Sequence, residues 1–156
     1  MSLYEALLVM HLVGAFWMAA GAGIVTIATM LSGRAVDRSS QAITARAIRL
    51  GVLWGVVPGS LLAIVFGSWL VSEAGYDFGA IWVSLSYVLW LALLAIATGV
   101  ISPRARRQER LALAAMAVPR EAAGSGAPAG TQIGLTLVVD LLLVVFLFLM
   151  VLRPGA

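Results

Sequence analysis

Four long apolar stretches make up most of the chain, and charged residues are concentrated between them. The stretches cover 3–31, 51–72, 80–102 and 131–152. Each has the length of about 20 helical residues needed to cross a hydrocarbon core of about 30 Å. Backbone amides in lipid must find hydrogen-bond partners within their own segment, so long uninterrupted stretches predict helices. The pattern therefore predicts an all-α integral membrane four-helix bundle with one transmembrane domain over 1–156.

The composition also indicates a membrane protein and excludes several kinds of functional site. The chain is 62% hydrophobic and 11% charged, whereas a soluble domain is roughly 45–50% apolar and about 25% charged. With no cysteine, disulfides, thiolate zinc sites and iron–sulfur clusters are excluded. The ten basic residues are all arginine, without the interleaved aromatic residues of an RNA-binding module. The predicted partner is therefore the lipid bilayer and not nucleic acid.

The distribution of arginine predicts the topology. The connections 32–50 and 103–130 hold nine of the ten arginines, and the connection between the second and third stretches holds none. These nine are Arg34, Arg38, Arg46, Arg49, Arg104, Arg106, Arg107, Arg110 and Arg120. The positive-inside rule makes both arginine-rich loops cytoplasmic. We therefore predict a multi-pass protein of the cell inner membrane with both termini outside, N-out and C-out.

The two cytoplasmic loops carry local signals of their own. Ser39 and Ser40 are candidate N-caps, so the second span is expected to begin outside the membrane. In the second loop, 109–118 resembles a short surface helix, and 122–130 is rich in Gly, Ala and Pro, as flexible linkers are.

Small residues recur at every fourth position of the second span. Because lipid provides no hydrophobic force between helices, such a stripe favours close helix packing, within the bundle or between two chains. Pro58 lies in the same segment and predicts a kink near Trp54. The stripe consists of Gly51, Gly55, Gly59, Ala63 and Gly67.

Two titratable side chains, His11 and Asp140, lie deep within the spans. Ionisable groups at that depth cost roughly 2.5–3.5 kcal/mol on insertion scales, so each is a candidate functional residue. Imidazole suits haem iron, copper or proton transfer. A histidine that only hydrogen-bonds between helices is the competing interpretation for His11. Met10, Met18 and Met150 are candidate soft ligands.

The partner of Asp140 is predicted from depth. Counting a rise of about 1.5 Å per residue from the outer helix ends places both Asp140 and Ser60 about 18 Å deep, and His11 about 12 Å deep. Ser60 is thus the better-matched partner, although a water-bridged contact with His11 stays open. Asp140 either joins two helices or handles protons.

Several short motifs along the chain carry a resemblance to known families. The motifs are His11, Gly14, Ala15, Trp17 and Gly21, then Pro58-Gly59, Ser102-Pro103-Arg104, and Asp140 with Arg153-Pro154. With these motifs the chain resembles a domain-of-unknown-function family of small four-span bacterial membrane proteins, for which no activity is established. Its opening also resembles, distantly, copper-resistance membrane domains and membrane protoporphyrinogen oxidases, which implies a haem or copper ligand at His11. The oxidases' essential lysine has no counterpart in this lysine-free chain, so the resemblance does not extend to their reaction.

These observations leave three functions open. The leading interpretation is a small membrane protein that binds a redox cofactor or metal, haem or copper, through His11. The first alternative is a non-catalytic accessory or scaffold subunit that packs in a homo-oligomer or larger complex through the small-residue stripe. The second is a small proton-coupled transporter that uses Asp140. No catalytic residue is predicted, and whether the protein is an enzyme stays open.

Overall fold

The computed structural model describes residues 2–117 and 132–152, together with the backbone of 129–131. These residues form four helices: α1 (Leu3–Ser32), α2 (Arg38–Glu73), α3 (Ile81–Met116) and α4 (Ala129–Leu152). All four are long and apolar enough to cross a membrane, and the described residues contain no strand. The predicted all-α, four-span architecture is confirmed.

Helix α1 begins with a capping box. The Ser2 hydroxyl accepts from the Glu5 backbone N–H at 3.2 Å, and the Glu5 carboxylate accepts from the Ser2 N–H at 2.8 Å. These two bonds satisfy backbone donors that have no partner inside the helix. The start of α1 is thereby fixed before the apolar stretch.

Helix α2 begins well before its apolar stretch, and its cap differs from the prediction. Asp37 is the N-cap, because its carboxylate accepts from the Ser40 backbone N–H at 2.9 Å. Ser39 and Ser40, predicted as caps, lie inside the first turn and donate their hydroxyls to Asp37. The bond from the Ser39 hydroxyl, followed by those from Ser40, holds the pKa of Asp37 well below its usual range.

Helix α3 also extends past its apolar stretch, as far as Met116. The short surface helix predicted over 109–118 is helical as far as Met116, but it is the last part of α3 and not a helix of its own. The linker predicted over 122–130 falls largely outside the described residues, and α4 already begins at Ala129.

Short connections make α1, α2 and α3 successively antiparallel. α2 packs most extensively on α1, and α4 packs on both α1 and α3. The start of α1 and the 74–80 connection lie at one end, here called the acidic end because it holds Glu5, Glu73 and Asp77. The first half of α2 and the last part of α3 pack together at the other end, here called the arginine-rich end.

Polar contacts tie α2 to α3 at each end. At the arginine-rich end Arg49 Nε lies 2.9 Å from a Glu109 carboxylate oxygen, and the Arg38 guanidinium donates to the Ala115 carbonyl. Toward the acidic end, the Ser68 and Tyr87 hydroxyls are 2.6 Å apart. These contacts fix the position of α2 along the length of α3.

Two π-helical segments interrupt the long helices at corresponding places. Gly51–Val56 lies in α2 and Ala97–Ile101 lies in α3, and each ends two residues before a proline, Pro58 or Pro103. Proline lacks the N–H that would bond four residues back, and its ring crowds that carbonyl, so a wider turn relieves the conflict. Where the sequence predicts a kink near Trp54, the structure has a π-helical segment.

In an α-helix the Trp54 carbonyl would accept from the N–H of residue 58, which proline lacks, and here another helix donates to this carbonyl. The Trp54 carbonyl, four residues before Pro58, accepts the indole N–H of Trp17 at 2.9 Å. An unsatisfied carbonyl costs several kcal/mol in lipid, so this bond stabilises the irregular turn and joins α1 to α2.

Candidate functional site

Glycines bring the backbones of α1 and α2 together along the seam between these helices. A Cβ added at Gly55 would lie 2.4 Å from the Gly21 Cα, and one added at Gly59 would lie 2.3 Å from the Met18 backbone nitrogen. A Cβ at Gly14 would lie 2.5 Å from the Ala63 nitrogen. Real Cβ atoms do not approach backbone this closely, so the two backbones are in direct contact here.

This contact identifies what the small-residue stripe of α2 packs against. Gly51, Gly55, Gly59 and Ala63 all face α1 of the same chain, and Gly67 faces the His11 ring. The stripe is therefore covered by α1 of the same chain, and its use between two chains stays a prediction.

His11 lies in this seam, toward the acidic end. Its side chain is buried, with 7% exposed, and Nδ1 lies 2.8 Å from the Ala63 carbonyl oxygen of α2. The ring fits because position 67 is glycine: a Cβ there would lie 2.9 Å from Nδ1 and 3.0 Å from Cε1. The sequence thus provides both a hydrogen-bond acceptor and a space for the imidazole.

The hydrogen bond specifies the tautomer of His11. A carbonyl oxygen only accepts, so Nδ1 must carry the proton, and in the neutral ring Nε2 then has a free lone pair. Within the described residues Nε2 has no hydrogen-bond partner. A ring nitrogen that donates to a carbonyl while the other keeps its lone pair is the arrangement of metal-bound histidines.

The surroundings of His11 restrict which metal centre fits. The described residues contain no group of three or more His, Asp or Glu side chains that could enclose an ion. A closed four-ligand zinc site is therefore not supported, whereas a single axial imidazole for haem, or one imidazole of a copper site, fits the donor present. Met18 is buried on the same face of α1, but about 10 Å further along the axis.

Asp140 on α4 has a different partner from the one predicted. Its Oδ2 accepts from the Thr26 hydroxyl of α1 at 2.8 Å. Ser60, the predicted partner, is fully buried and donates to the Val57 carbonyl of its own helix at 2.9 Å. The depth count compared Ser60 of α2 with Asp140 of α4, whereas α4 packs on α1 and α3.

Asp140 and His11 belong to separate places in the bundle. Thr26, the partner of Asp140, is 15 residues after His11 on the same helix, which is about 22 Å along the axis. The water-bridged His11–Asp140 contact that the sequence left open is therefore excluded by distance.

A small cavity lies beside Asp140. It has a volume of about 10 Å³ and is bordered by both π-helical segments, through Val52, Val56, Ala97 and Ile101. The Thr26 and Thr136 side chains also line it. A cavity of about this volume holds one water molecule. The carboxyl group thus faces a water-sized space with two neighbouring hydroxyls, at a place where the helices are irregular.

Thr26 and Thr136 are the site residues that sequence reasoning missed. Threonine is compatible with an apolar span because its hydroxyl bonds its own helix, as Thr136 does with the Gln132 carbonyl at 3.1 Å. Their polarity is the signal, but it does not reveal which helices place them beside Asp140.

Comparison with known proteins gives one match. Residues 5–154 match the family model described as predicted integral membrane protein, DUF2269. No curated protein and no solved structure matches the chain. The likeness to copper-resistance domains and protoporphyrinogen oxidases therefore gains no support from these comparisons.

Proposed function

The chain belongs to the DUF2269 family of predicted integral membrane proteins, and from this premise we propose that it binds a redox cofactor or metal through His11. The observation that carries the proposal is the hydrogen bond from His11 Nδ1 to the Ala63 carbonyl, at 2.8 Å. It orients the ring and leaves the lone pair of Nε2 available to a ligand. Haem iron and copper are the centres that a single membrane imidazole suits.

In addition to the hydrogen bond, the packing around His11 supports a ligand role. Gly67 borders the ring closely, and the backbone contacts of Gly14 and Gly59 hold α1 and α2 together on the arginine-rich side of the ring. The imidazole is therefore held on two helices rather than on a loop. A site on rigid elements keeps the ligand atom where a metal needs it.

Cofactor content is the direct test of this function. The full chain, expressed with added haem and copper and purified in detergent, is expected to show a haem absorption band or stoichiometric copper. Spectra of the oxidised and dithionite-reduced protein, together with metal analysis, measure both. A folded protein that is colourless and free of metal would contradict the proposal and favour the accessory or scaffold subunit instead.

We further propose an inner-membrane location with both termini outside, which puts His11 nearer the outer face. The support is the concentration of arginine at one end of the bundle. Because the chain has no cysteine, single cysteines are clean probes. A cysteine at Ser39 is expected to react with a membrane-impermeant maleimide only after cells are opened, and one at Ser72 in intact cells. The reverse pattern would contradict the topology.

A second candidate function uses Asp140 for proton-coupled transport. It is favoured by the carboxyl group that accepts from Thr26 at 2.8 Å beside a water-sized cavity and two π-helical segments. π-Helical turns occur frequently at functional sites, and intramembrane carboxyl groups mark proton relays.

Flux measurements test this second function. In vesicles containing the purified protein, Asp140→Asn is expected to abolish a pH-dependent flux, because the amide cannot take up a proton. Ser60→Ala is the matched control, since Ser60 bonds only its own helix. Flux that is unchanged in Asp140→Asn, or equally reduced in both variants, would exclude this role.

A further inference from the structure

We propose that the arginine-rich end carries a binding site for the phosphate headgroup of an anionic phospholipid. An open cavity of about 350 Å³ lies on α3, lined by Ser102, Pro103, Arg106, Arg107 and Arg110. Its volume falls in the range of small-molecule sites, roughly 300–1,000 Å³. Three of its five lining residues are arginine, so the ligand must be an anion.

The three arginines keep their positive charge available. Arg106, Arg107 and Arg110 are exposed, and none forms an ion pair or hydrogen bond in the part of the chain that the structure describes. Arg49, by contrast, is neutralised by Glu109 at 2.9 Å. Guanidinium groups present paired donors that match two phosphate oxygens. Three such groups around one cavity make a site for phosphate.

Helical spacing brings the arginines together and turns them outward. Arg110 follows Arg106 by four residues and Arg107 by three, the spacings that place side chains on the same side of a helix. Ala105 and Ala112, which are buried, mark the opposite side, and α3 packs there against α2. The cavity therefore opens away from the protein.

The position of the cavity identifies a lipid as the source of the phosphate. Ser102 directly follows the apolar π-helical segment Ala97–Ile101. The arginines thus begin where the apolar stretch of α3 ends, which is the headgroup level of a bilayer. A phosphate at this level is attached to a lipid whose acyl chains run along the apolar part of α3.

Native mass spectrometry of the full chain with phosphatidylglycerol or phosphatidylcholine tests this site. The variant replaces all three cavity arginines by glutamine. The matched control replaces Arg34, Arg46 and Arg104, which are exposed, belong to the same end and do not line the cavity. Both triple variants lose the same charge, so general attraction to an anionic surface is held equal.

We expect the wild-type chain to retain one phosphatidylglycerol in preference to phosphatidylcholine. Affinity should fall at least about tenfold more in the cavity variant than in the control, because only the cavity variant loses paired phosphate contacts. Equal losses in the two variants would overturn the site and leave surface charge alone. Displacement of the lipid by millimolar inorganic phosphate would overturn the lipid assignment and indicate a soluble anion.

Discussion

Gly55→Ala is expected to lower the free energy of unfolding by about 2–3 kcal/mol, the upper part of the usual range for overpacking. The new Cβ would lie 2.4 Å from the Gly21 Cα and 3.3 Å from its nitrogen. Both are backbone atoms, so no side chain can rotate out of the way and the helices must separate. Separation would weaken the whole seam, because in lipid the close packing of α1 and α2 is itself the main attraction between them.

Unfolding in mixed micelles, followed by circular dichroism or tryptophan fluorescence, measures this loss. Gly23→Ala is the matched control: Gly23 lies two residues from Gly21 on the same helix, and a Cβ there meets nothing within 4 Å. The control should be as stable as wild type, or slightly more stable, since alanine favours helix. Equal stability of Gly55→Ala and wild type would contradict the seam described here.

His11→Gln is expected to abolish cofactor binding while leaving the bundle folded. Glutamine can still donate an N–H to the Ala63 carbonyl and fill part of the space over Gly67, but it offers no imidazole nitrogen. Affinity should fall more than about 100-fold, beyond the roughly 10–100-fold that loss of an outer-shell partner costs. His11→Ala should lose the cofactor as completely and also lose packing in the seam.

Cofactor stoichiometry and unfolding, measured on the same samples, separate ligation from packing. The expected order of stability is wild type, then His11→Gln, then His11→Ala, whereas cofactor is absent from both variants. Met10→Leu is the matched control, because Met10 is adjacent and exposed and should leave cofactor content unchanged. Full cofactor occupancy in His11→Gln would show that His11 only joins two helices.

The transmembrane part of the fold could be predicted because length and apolarity decide it. The extensions of α2 and α3 beyond the apolar stretches could not be predicted, because each is stabilised by packing against the other. Ala45, Ile48 and Ala105 are almost completely buried there, and Arg49 pairs with Glu109 at 2.9 Å. Hydropathy of a single segment does not reveal a contact between two charged segments 60 residues apart.

The site could be predicted only as far as its titratable residues. His11 and Asp140 stand out because ionisable side chains are rare in lipid. Their partners depend on how far each helix is shifted along the bundle. Thr26 lies about 35 Å from the start of α1, but Asp140 lies only about 18 Å from the end of α4. The structure joins Thr26 and Asp140 through a 2.8 Å hydrogen bond. A count that places the outer ends of the helices at the same depth could not predict this pair.

The central claim is that His11 presents a bare Nε2, and nitrogen NMR of the histidine tests it most directly. The chain contains one histidine, so ¹⁵N-histidine labelling in lipid nanodiscs gives the signals of this ring alone. The structure predicts a protonated Nδ1 and an unprotonated Nε2, with the Nε2 signal moving when haem or copper is added. A proton on Nε2 and none on Nδ1 would contradict the account. Ring nitrogen signals that stay unchanged when haem or copper is added would contradict it as well.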